Sequence, residues 1–401
     1  MICNRFELLT SCLSSKRSKP TELTDHFLAK SKCKSTKIFQ TGKKKNAFFG
    51  KLRNQTLHIM LCFKILNSTK HFNIFCVIAL YRHQKPSETN QETGKMKLYF
   101  APLQGYTDHL YRSIHSRVAG GIDTYLSPFL RCDGGKVRNK DLRDIAPENN
   151  EGLDLVPQVI AADTDELAPL LDIVEQTGYN RVDLNLGCPF PLQTGRGRGA
   201  AALAHPDRIE RMMQELQRRT RLKVSVKMRS GLTDPSEGLA AIEVLNHFKL
   251  EHIAIHPRLG VQQYKGLPDR ETFRRLKEAS RHPTVYNGDI ASLEDIDEIV
   301  RLFPDLSGIM IGRGLLARPT LAREWRDGRP LSDDERLAIS LEMHRRLYDT
   351  ALQTLQGDQQ TLARMQAFWE YQKPLIDKKV YKRLMKTTSL RNYEEAVRSL
   401  A

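Results

Sequence analysis

Polar side chains of reactive types lie at or just after the ends of six short apolar segments. They include amides, a thiol, cations and a histidine: Gln158, Asn185, Cys188, Lys227, Arg229, His256, Asn287, Asp289 and Arg313. A polar group that is buried without a partner costs free energy, so a purely structural core has no reason to place so many of them there. The pattern predicts one polar site built from several segments.

Cys188 is the candidate for acid chemistry. A thiol with a pKa near ~8.5 stays protonated at neutral pH and can therefore donate a proton. Most free cysteines are buried and inert, but Cys188 stands in an Asn-x-Gly-Cys-Pro frame and precedes a glycine-rich segment at 195–199. These neighbours favour a reactive role for Cys188, whereas Cys132 lies outside any motif and is expected to be structural.

Glycines follow the last two apolar segments, as in phosphate-binding loops. Gly288, Gly312 and Gly314 would let backbone N–H groups approach an anion, and Arg313 adds a positive charge. A single glycine is more often an ordinary turn. Two such loops together predict a phosphate site.

The elements that carry these residues alternate between strands and helices. Apolar runs at 97–101, 123–127, 155–160, 181–186, 223–228, 252–256, 283–286 and 308–311 predict eight strands. Amphipathic stretches at 108–118, 164–177, 206–219, 237–248, 270–280 and 292–302 predict helices, with Asp108, Thr164 and Ser292 as candidate caps. This order predicts an α/β fold, a (β/α)8 TIM barrel, whose active residues lie at the carboxyl ends of the strands. No GxGxxG motif follows the first strand, which disfavours a Rossmann fold.

The strand signals stop near residue 325, and the rest of the chain predicts an appended C-terminal helical domain of three or four helices. Basic and aromatic residues alternate in its last forty positions, from Arg364 through Trp369, Tyr371, Lys378, Lys379, Tyr381, Lys382 and Arg383 to Arg398. Most charge runs are solvated helix faces, so such a face and a nucleic-acid docking surface are both open interpretations.

The charge of the chain is concentrated in its first quarter. The net charge is +16, but residues 1–95 carry 18 Lys and Arg against 5 Asp and Glu. Residues 1–95 show no sustained period, and we expect them to be disordered or mis-assigned, with Met96 as the true start. A mitochondrial transit peptide is the alternative. No apolar run approaches the ~20 residues that span a bilayer, and Cys132 and Cys188 form no CxxC pair for a metal.

Taken together, the motifs resemble those of the tRNA-dihydrouridine synthase family. They are Ala-Pro-x-x-Gly-x-Thr-Asp at 101–108, Asn-x-Gly-Cys-Pro at 185–189, Val-Lys-Met-Arg at 226–229, His-x-Arg at 256–258, Asn-Gly-Asp at 287–289 and Ile-Gly-Arg-Gly at 311–314. The resemblance covers 97–320. It implies a catalytic barrel at 96–325 and a tRNA-binding helical domain at 326–401. It also implies a monomeric cytoplasmic enzyme with no membrane partner.

The resemblance implies FMN as cofactor, NADPH as reductant and a uridine in the D-loop of tRNA as substrate. The implied cofactor-binding residues are Ala101, Pro102, Leu103, Gln158, Lys227, His256, Asn287, Gly288, Asp289, Gly312 and Arg313. Hydride reaches C6 of the uracil ring and C5 must then be protonated, for which Cys188 is the implied donor. Asn185, Arg229 and Tyr264 are expected to hold the base and its developing negative charge.

Positive residues near the predicted site could also hold phosphates around the target uridine. Arg196, Arg198, Arg258 and Lys265 are the candidates, although each could be a plain surface charge.

Two other functions are compatible with parts of the pattern. One is an FMN-dependent dehydrogenase of a free pyrimidine, of the dihydroorotate or dihydropyrimidine type. Gly187 disfavours it, because those enzymes resemble Asn-x-Ser-Cys-Pro at this motif. The other is a non-catalytic RNA-binding barrel, which the presence of Cys188 and all the flavin positions disfavours.

Overall fold

The computed structural model describes residues 96–219 and 221–400. The expectations for residues 1–95 fall outside the described part of the chain. Within that part, no helix combines the length and apolar character needed to cross a membrane.

A parallel sheet that closes on itself forms the centre of the fold. The strands are Lys97–Phe100 (β1), Thr124–Leu126 (β2), Cys132–Asp133 (β3), Lys136–Val137 (β4), Leu155–Val156 (β5), Gln158–Val159 (β6), Arg181–Leu186 (β7), Lys223–Gly231 (β8), Ile253–Leu259 (β9), Thr284–Tyr286 (β10) and Gly308–Ile311 (β11). All but β3 and β4 belong to this sheet, in the order β5-β2-β1-β11-β10-β9-β8-β7-β6.

The polypeptide itself joins the two end strands of the sheet and so closes the barrel. The two ends of the sheet order, β5 and β6, are separated in sequence only by Pro157. Proline has no N–H to give to a strand ladder, so it interrupts the third predicted strand without ending it. All eight predicted strands are therefore present, and the predicted TIM barrel is confirmed.

Helices surround the sheet. They are His109–Val118 (α1), Asn139–Ile145 (α2), Thr164–Gln176 (α3), Pro191–Thr194 (α4), Pro206–Arg218 (α5), Pro235–Leu245 (α6), Arg270–Ala279 (α7), Leu293–Leu302 (α8), Arg313–Ala317 (α9) and Leu321–Asp327 (α10). The six predicted helices correspond to α1, α3, α5, α6, α7 and α8. Their apolar faces join the strands in one large core, in which residues such as Leu167 and Ile209 are fully buried.

Two of the three predicted helix caps are correct. The Asp108 carboxylate accepts a hydrogen bond from the Tyr111 amide, and Ser292 forms a capping box. The third prediction, Thr164, is wrong. Asp163 is the cap of α3, and its carboxylate accepts from the amide of Glu166, while Thr164 is the first helical residue.

A short insertion between β2 and β5 was not predicted. It consists of the antiparallel hairpin of β3 and β4, followed by α2. Each hairpin strand has only two residues, too few to show an alternating apolar pattern. The one local signal was Gly134-Gly135, since both glycines have positive φ in the turn.

Four helices follow the barrel within the described residues: Asp333–Thr354 (α11), Asp358–Trp369 (α12), Lys378–Lys386 (α13) and Leu390–Arg398 (α14). Trp369 is fully buried among them, and its indole N–H donates to the Tyr393 hydroxyl at 2.9 Å. Trp369 therefore belongs to the core of the helices and lies neither on a solvated face nor on a docking surface. On the barrel side, α11 packs against α1, and Arg364 pairs with Asp108 at 2.6 Å.

Candidate functional site

The strand ends converge on two adjoining cavities at the carboxyl end of the barrel. One has a volume of about 320 Å³ and the other about 620 Å³. Seven residues line both: Pro102, Leu103, Lys227, His256, Tyr264, Arg313 and Tyr371. We call the smaller one the cradle cavity. We call the larger one the thiol cavity, because Cys188 lines it and does not line the smaller one.

Ten of the eleven predicted cofactor residues line the cradle cavity: Ala101, Pro102, Leu103, Lys227, His256, Asn287, Gly288, Asp289, Gly312 and Arg313. Gln158 is the exception. It is fully buried, and its amide is bonded to Asp183 and Asn185. Its predicted contact with a cofactor stays a prediction.

The loops after β10 and β11 supply unpaired backbone donors to the cradle cavity. Within the described residues, the N–H groups of Gly288, Asp289, Arg313 and Gly314 have no hydrogen-bond acceptor. The last two begin α9, where the first N–H groups of any helix are free. Asp289 has a φ of 36°, a left-handed conformation that turns the loop. Several free N–H groups around one cavity suit a phosphate group.

Charges beside these donors are held in a fixed arrangement. The Asp289 carboxylate accepts from Arg258 at 2.8 Å and from Arg313 at 2.7 Å. The Arg313 guanidinium lies 4.3 Å from the centroid of the Tyr264 ring. Burial alone would raise the pKa of Asp289, but the two arginines hold it below its usual value. Asp289 thus stays ionised and fixes Arg313 at the edge of both cavities.

Two arginines that were candidates for holding tRNA phosphates are internal. Arg258 and Arg198 are each 1% exposed. Arg258 bonds to Asp289 and the Gly266 carbonyl, and Arg198 bonds to Glu166 and the Cys132 carbonyl. Their hydrogen bonds stabilise loops, so neither is free to contact a nucleic acid. Arg196, half exposed but paired with Asp133, and the exposed Lys265 remain at the surface.

Burial shifts the pKa values of Lys227 and His256, which line both cavities. It lowers the pKa of Lys227 to about 8, with the charge of Arg229 acting in the same direction. It also lowers the pKa of His256 well below its usual value, again assisted by Arg229 and Lys227. At neutral pH, His256 is therefore neutral and can accept a hydrogen bond, while Lys227 is still mostly charged.

The Cys188 thiol is suited to be an acid. Burial raises its pKa above the usual value, although the Phe190 backbone and the charge of Arg229 partly oppose this shift. The thiol is therefore protonated at neutral pH. A Cβ at Gly199 would lie 2.8 Å from the Cys188 Cβ, so only glycine lets these segments approach so closely.

The three predicted substrate-binding residues all line the thiol cavity. Asn185 and Arg229 are also bonded to the loop that carries Cys188. The Asn185 side-chain oxygen accepts from the amides of Gly187 and Cys188, both at 2.9 Å. Arg229 donates to the Gly187 carbonyl at 3.0 Å. Tyr264, in contrast, is 38% exposed and lies at the cavity mouth.

Sequence reasoning missed several residues of the thiol cavity. Arg138 and Lys140 come from the unpredicted insertion, and Phe129 precedes it. Tyr371 comes from the segment after α12 and lines both cavities. Its ring is 5.3 Å from that of Tyr106 in an edge-on arrangement. In the sequence, Tyr371 stood out only as part of the basic and aromatic run. That run gave no reason to place Tyr371 at the barrel mouth.

A family model decides the identity of this arrangement. The model described as "Dihydrouridine synthase (Dus)" matches residues 99–399, well over half of the chain. The chain belongs to the dihydrouridine synthase family. The chain is thus an oxidoreductase, and the family that its motifs predicted is confirmed. Membership disfavours both alternatives, the free-pyrimidine dehydrogenase and the non-catalytic barrel.

Several relatives match more than half of the chain. A tRNA-dihydrouridine(16) synthase of Neisseria meningitidis serogroup B is 27% identical, over 69% of this chain and 86% of its own length. One from Pseudomonas putida is 29% identical, over 62% of this chain and 81% of its own. A tRNA-dihydrouridine synthase B of Pasteurella multocida is 26% identical, over 57% and 68%.

Proposed function

We propose that this protein reduces uridine 16 in the D-loop of tRNA, with FMN as bound cofactor and NADPH as reductant. The observation that carries the proposal is the junction of the two cavities at Lys227, His256 and Tyr264. One cavity has the donors for a phosphate, and the other holds a protonated thiol. The names of the Neisseria and Pseudomonas relatives support position 16.

The cradle cavity is where FMN would bind. The free N–H groups of Gly288, Asp289, Arg313 and Gly314, with the Arg313 guanidinium, would hold its phosphate. Lys227 would then lie against the ring system, where its positive charge stabilises negative charge. FMN, when bound, supplies the hydride that reaches C6 of the uracil ring.

The thiol cavity is where the target uridine would lie. Its base must leave the folded tRNA to reach the barrel mouth. Cys188 donates the proton that C5 needs, so the thiol becomes a thiolate while the C5–C6 double bond becomes single. Arg229 and Tyr264 would hold the base, while Asn185 fixes the loop under Cys188 through its two backbone hydrogen bonds.

The C-terminal helices would supply part of the tRNA-binding surface. The exposed residues of α13 include Lys378, Lys379, Lys382, Arg383 and Lys386, and none forms an ion pair within the described residues. Free cations on one helix suit a phosphate backbone. In the same proposal, residues 96–325 form the catalytic domain and residues 326–401 a tRNA-binding domain of a monomeric, cytoplasmic protein.

The test is a reconstitution with the full-length chain. The purified protein should take up FMN, seen as a shift of the flavin absorbance, and should form dihydrouridine at position 16 of unmodified tRNA with NADPH. Absence of flavin uptake by the folded protein would contradict the cofactor assignment. Dihydrouridine at another position would contradict position 16 while leaving the reaction in place.

A further inference from the structure

A buried carboxylate outside both cavities is connected to the Cys188 loop. Asp183 is fully buried in β7 and does not line either cavity. Its two oxygens accept hydrogen bonds at 2.7 Å, one from the Ser225 hydroxyl and one from the Gln158 side-chain amide. The proposed chemistry gives this carboxylate no role, and burying an ionised group is costly unless its partners are well placed.

From Asp183 the hydrogen bonds continue as a single chain. The Gln158 oxygen accepts from the Asn185 amide nitrogen at 2.7 Å. The Asn185 oxygen accepts from the backbone amides of Gly187 and Cys188 at 2.9 Å. The chain Asp183, Gln158, Asn185 therefore ends on the backbone of the proposed proton donor.

The donors and acceptors of this chain have only one consistent direction. An ionised carboxylate can only accept, so the Gln158 NH2 must face Asp183 and its oxygen must face Asn185. A backbone N–H can only donate, so the Asn185 oxygen must face the Cys188 loop. Both ends of the hydrogen-bond network thus require the same orientation of the two amides. A side-chain amide has no preferred orientation by itself, so its hydrogen-bond partners decide it.

The ionisation of Asp183 agrees with this direction. Burial raises its pKa to about 6, while the hydrogen bonds of Ser225 and Gln158 and the charge of Lys227 oppose the shift. Asp183 therefore remains mostly ionised at neutral pH and accepts from both neighbours.

We propose that Asp183 is a positioning residue, which sets the orientation of the Gln158 and Asn185 amides and thereby fixes the loop that presents the Cys188 thiol. The inference rests on the proposed function in that it takes Cys188 as the proton donor. It adds a residue that touches neither cofactor nor substrate and that acts on the protonation step through two amides.

The matched variants are Asp183→Leu and Asp183→Asn in the full-length chain. Asp183→Leu leaves the Gln158 NH2 without an acceptor. Asp183→Asn can still accept from Gln158 through its oxygen and donate to the Ser225 hydroxyl through its nitrogen, so it keeps the direction of the chain without the charge. Gln158→Met removes the middle amide of the hydrogen-bond network. It is the second variant if Asp183→Leu does not fold.

The first measurement is the rate of Cys188 alkylation by iodoacetamide, followed by peptide mass spectrometry. We expect at least a fivefold faster rate in Asp183→Leu and Gln158→Met, because the Asn185 amide that anchors the loop is no longer held in one orientation. Asp183→Asn should stay within twofold of wild type, and alkylation of the buried Cys132 serves as internal control. An unchanged Cys188 rate in the chain-breaking variants would overturn the proposal, and so would an Asp183→Asn rate as fast as that of Asp183→Leu.

The second measurement separates this proposal from the proposed function. Oxidation of the reduced enzyme by tRNA should slow at least tenfold in Asp183→Leu, with flavin reduction by NADPH unchanged and with rescue in Asp183→Asn. Equal slowing in Asp183→Asn would show that the charge acts and would overturn the positioning role. If Cys188→Ala keeps full activity, the acid assignment fails, while the alkylation rates still decide whether Asp183 positions the loop.

Discussion

The barrel mouth and the C-terminal helices use polar residues in opposite ways. At the mouth, charged and polar side chains such as Arg229 and His256 are buried and bound to one another or to loop backbone. On α13, basic residues such as Lys378 and Lys382 are exposed, while Leu384 of the same helix is buried. The chemistry and stability of the mouth therefore depend on individual contacts, and binding of tRNA by α13 depends on its total charge. Substitutions at the mouth should change chemistry or stability, and substitutions on α13 should change only tRNA affinity.

Cys188→Ala should have the largest effect. Oxidation of the reduced enzyme by tRNA should fall by roughly 10²–10⁴-fold, the usual contribution of a placed general acid. FMN binding and reduction by NADPH should be unchanged, since neither uses the thiol. Stopped-flow absorbance measures both steps, with Cys132→Ala as control for a buried cysteine outside the cavities. A wild-type rate of oxidation in Cys188→Ala would contradict the acid role.

Asp289→Asn should destabilise the mouth without affecting tRNA affinity. Asparagine tolerates the positive φ, but it loses the charge that pairs with Arg258 and Arg313. Hydrogen bonds to charged groups contribute about 1.5–3 kcal/mol, which is the expected loss in the free energy of unfolding at pH 7.

Because the folded pKa of Asp289 is depressed, its contribution is present above the unfolded pKa of about 3.9 and is lost as the pH falls through the folded value. Urea unfolding of the flavin-free protein should therefore distinguish the variant from wild type at pH 7, and the difference should shrink at pH 3. Equal stability at pH 7 would show that the ion pairs of the mouth contribute nothing.

Lys227 should give the mouth a pH dependence. Its pKa is lowered to about 8, so it loses its proton as the pH rises through that value. Flavin reduction by NADPH should then fall by up to about tenfold per pH unit above pH 8, as expected for one ionisation. Lys227→Arg keeps its charge and should remove the decline. The same decline in Lys227→Arg would assign it to another group.

The smallest effect is expected on α13. Replacing Lys378, Lys379 and Lys382 by glutamine should weaken tRNA binding a few-fold. The dependence of log affinity on log salt should fall by up to about 0.9 for each phosphate that is no longer neutralised. Replacement by arginine keeps the charges and is the matched control, and FMN binding and Cys188 alkylation should not change. Unchanged tRNA affinity at low salt in the glutamine variant would make α13 a solvated surface.

The contrast also shows where sequence reasoning succeeded. Most residues of the mouth lie toward the ends of strands or directly after them, so the strand pattern placed them at one end of the barrel, and ten of the predicted cofactor residues do line one cavity. Gln158 also follows the pattern, but it is fully buried and its amide is hydrogen-bonded to Asp183 and Asn185. Those partners lie on a neighbouring strand, and a pattern read along one segment does not contain them.

The sequence by itself determined the barrel, its motifs and the family, because strand periodicity and strand-end residues are local properties of the chain. Only the tertiary structure decided which polar groups satisfy one another. Arg198 and Arg258 appeared as candidate phosphate contacts and are internal, and Tyr371 appeared as a tail residue and lines both cavities. The physical reason is that burial and hydrogen bonding join residues that are far apart in the chain, and the same arginine is free or paired according to which loop packs beside it.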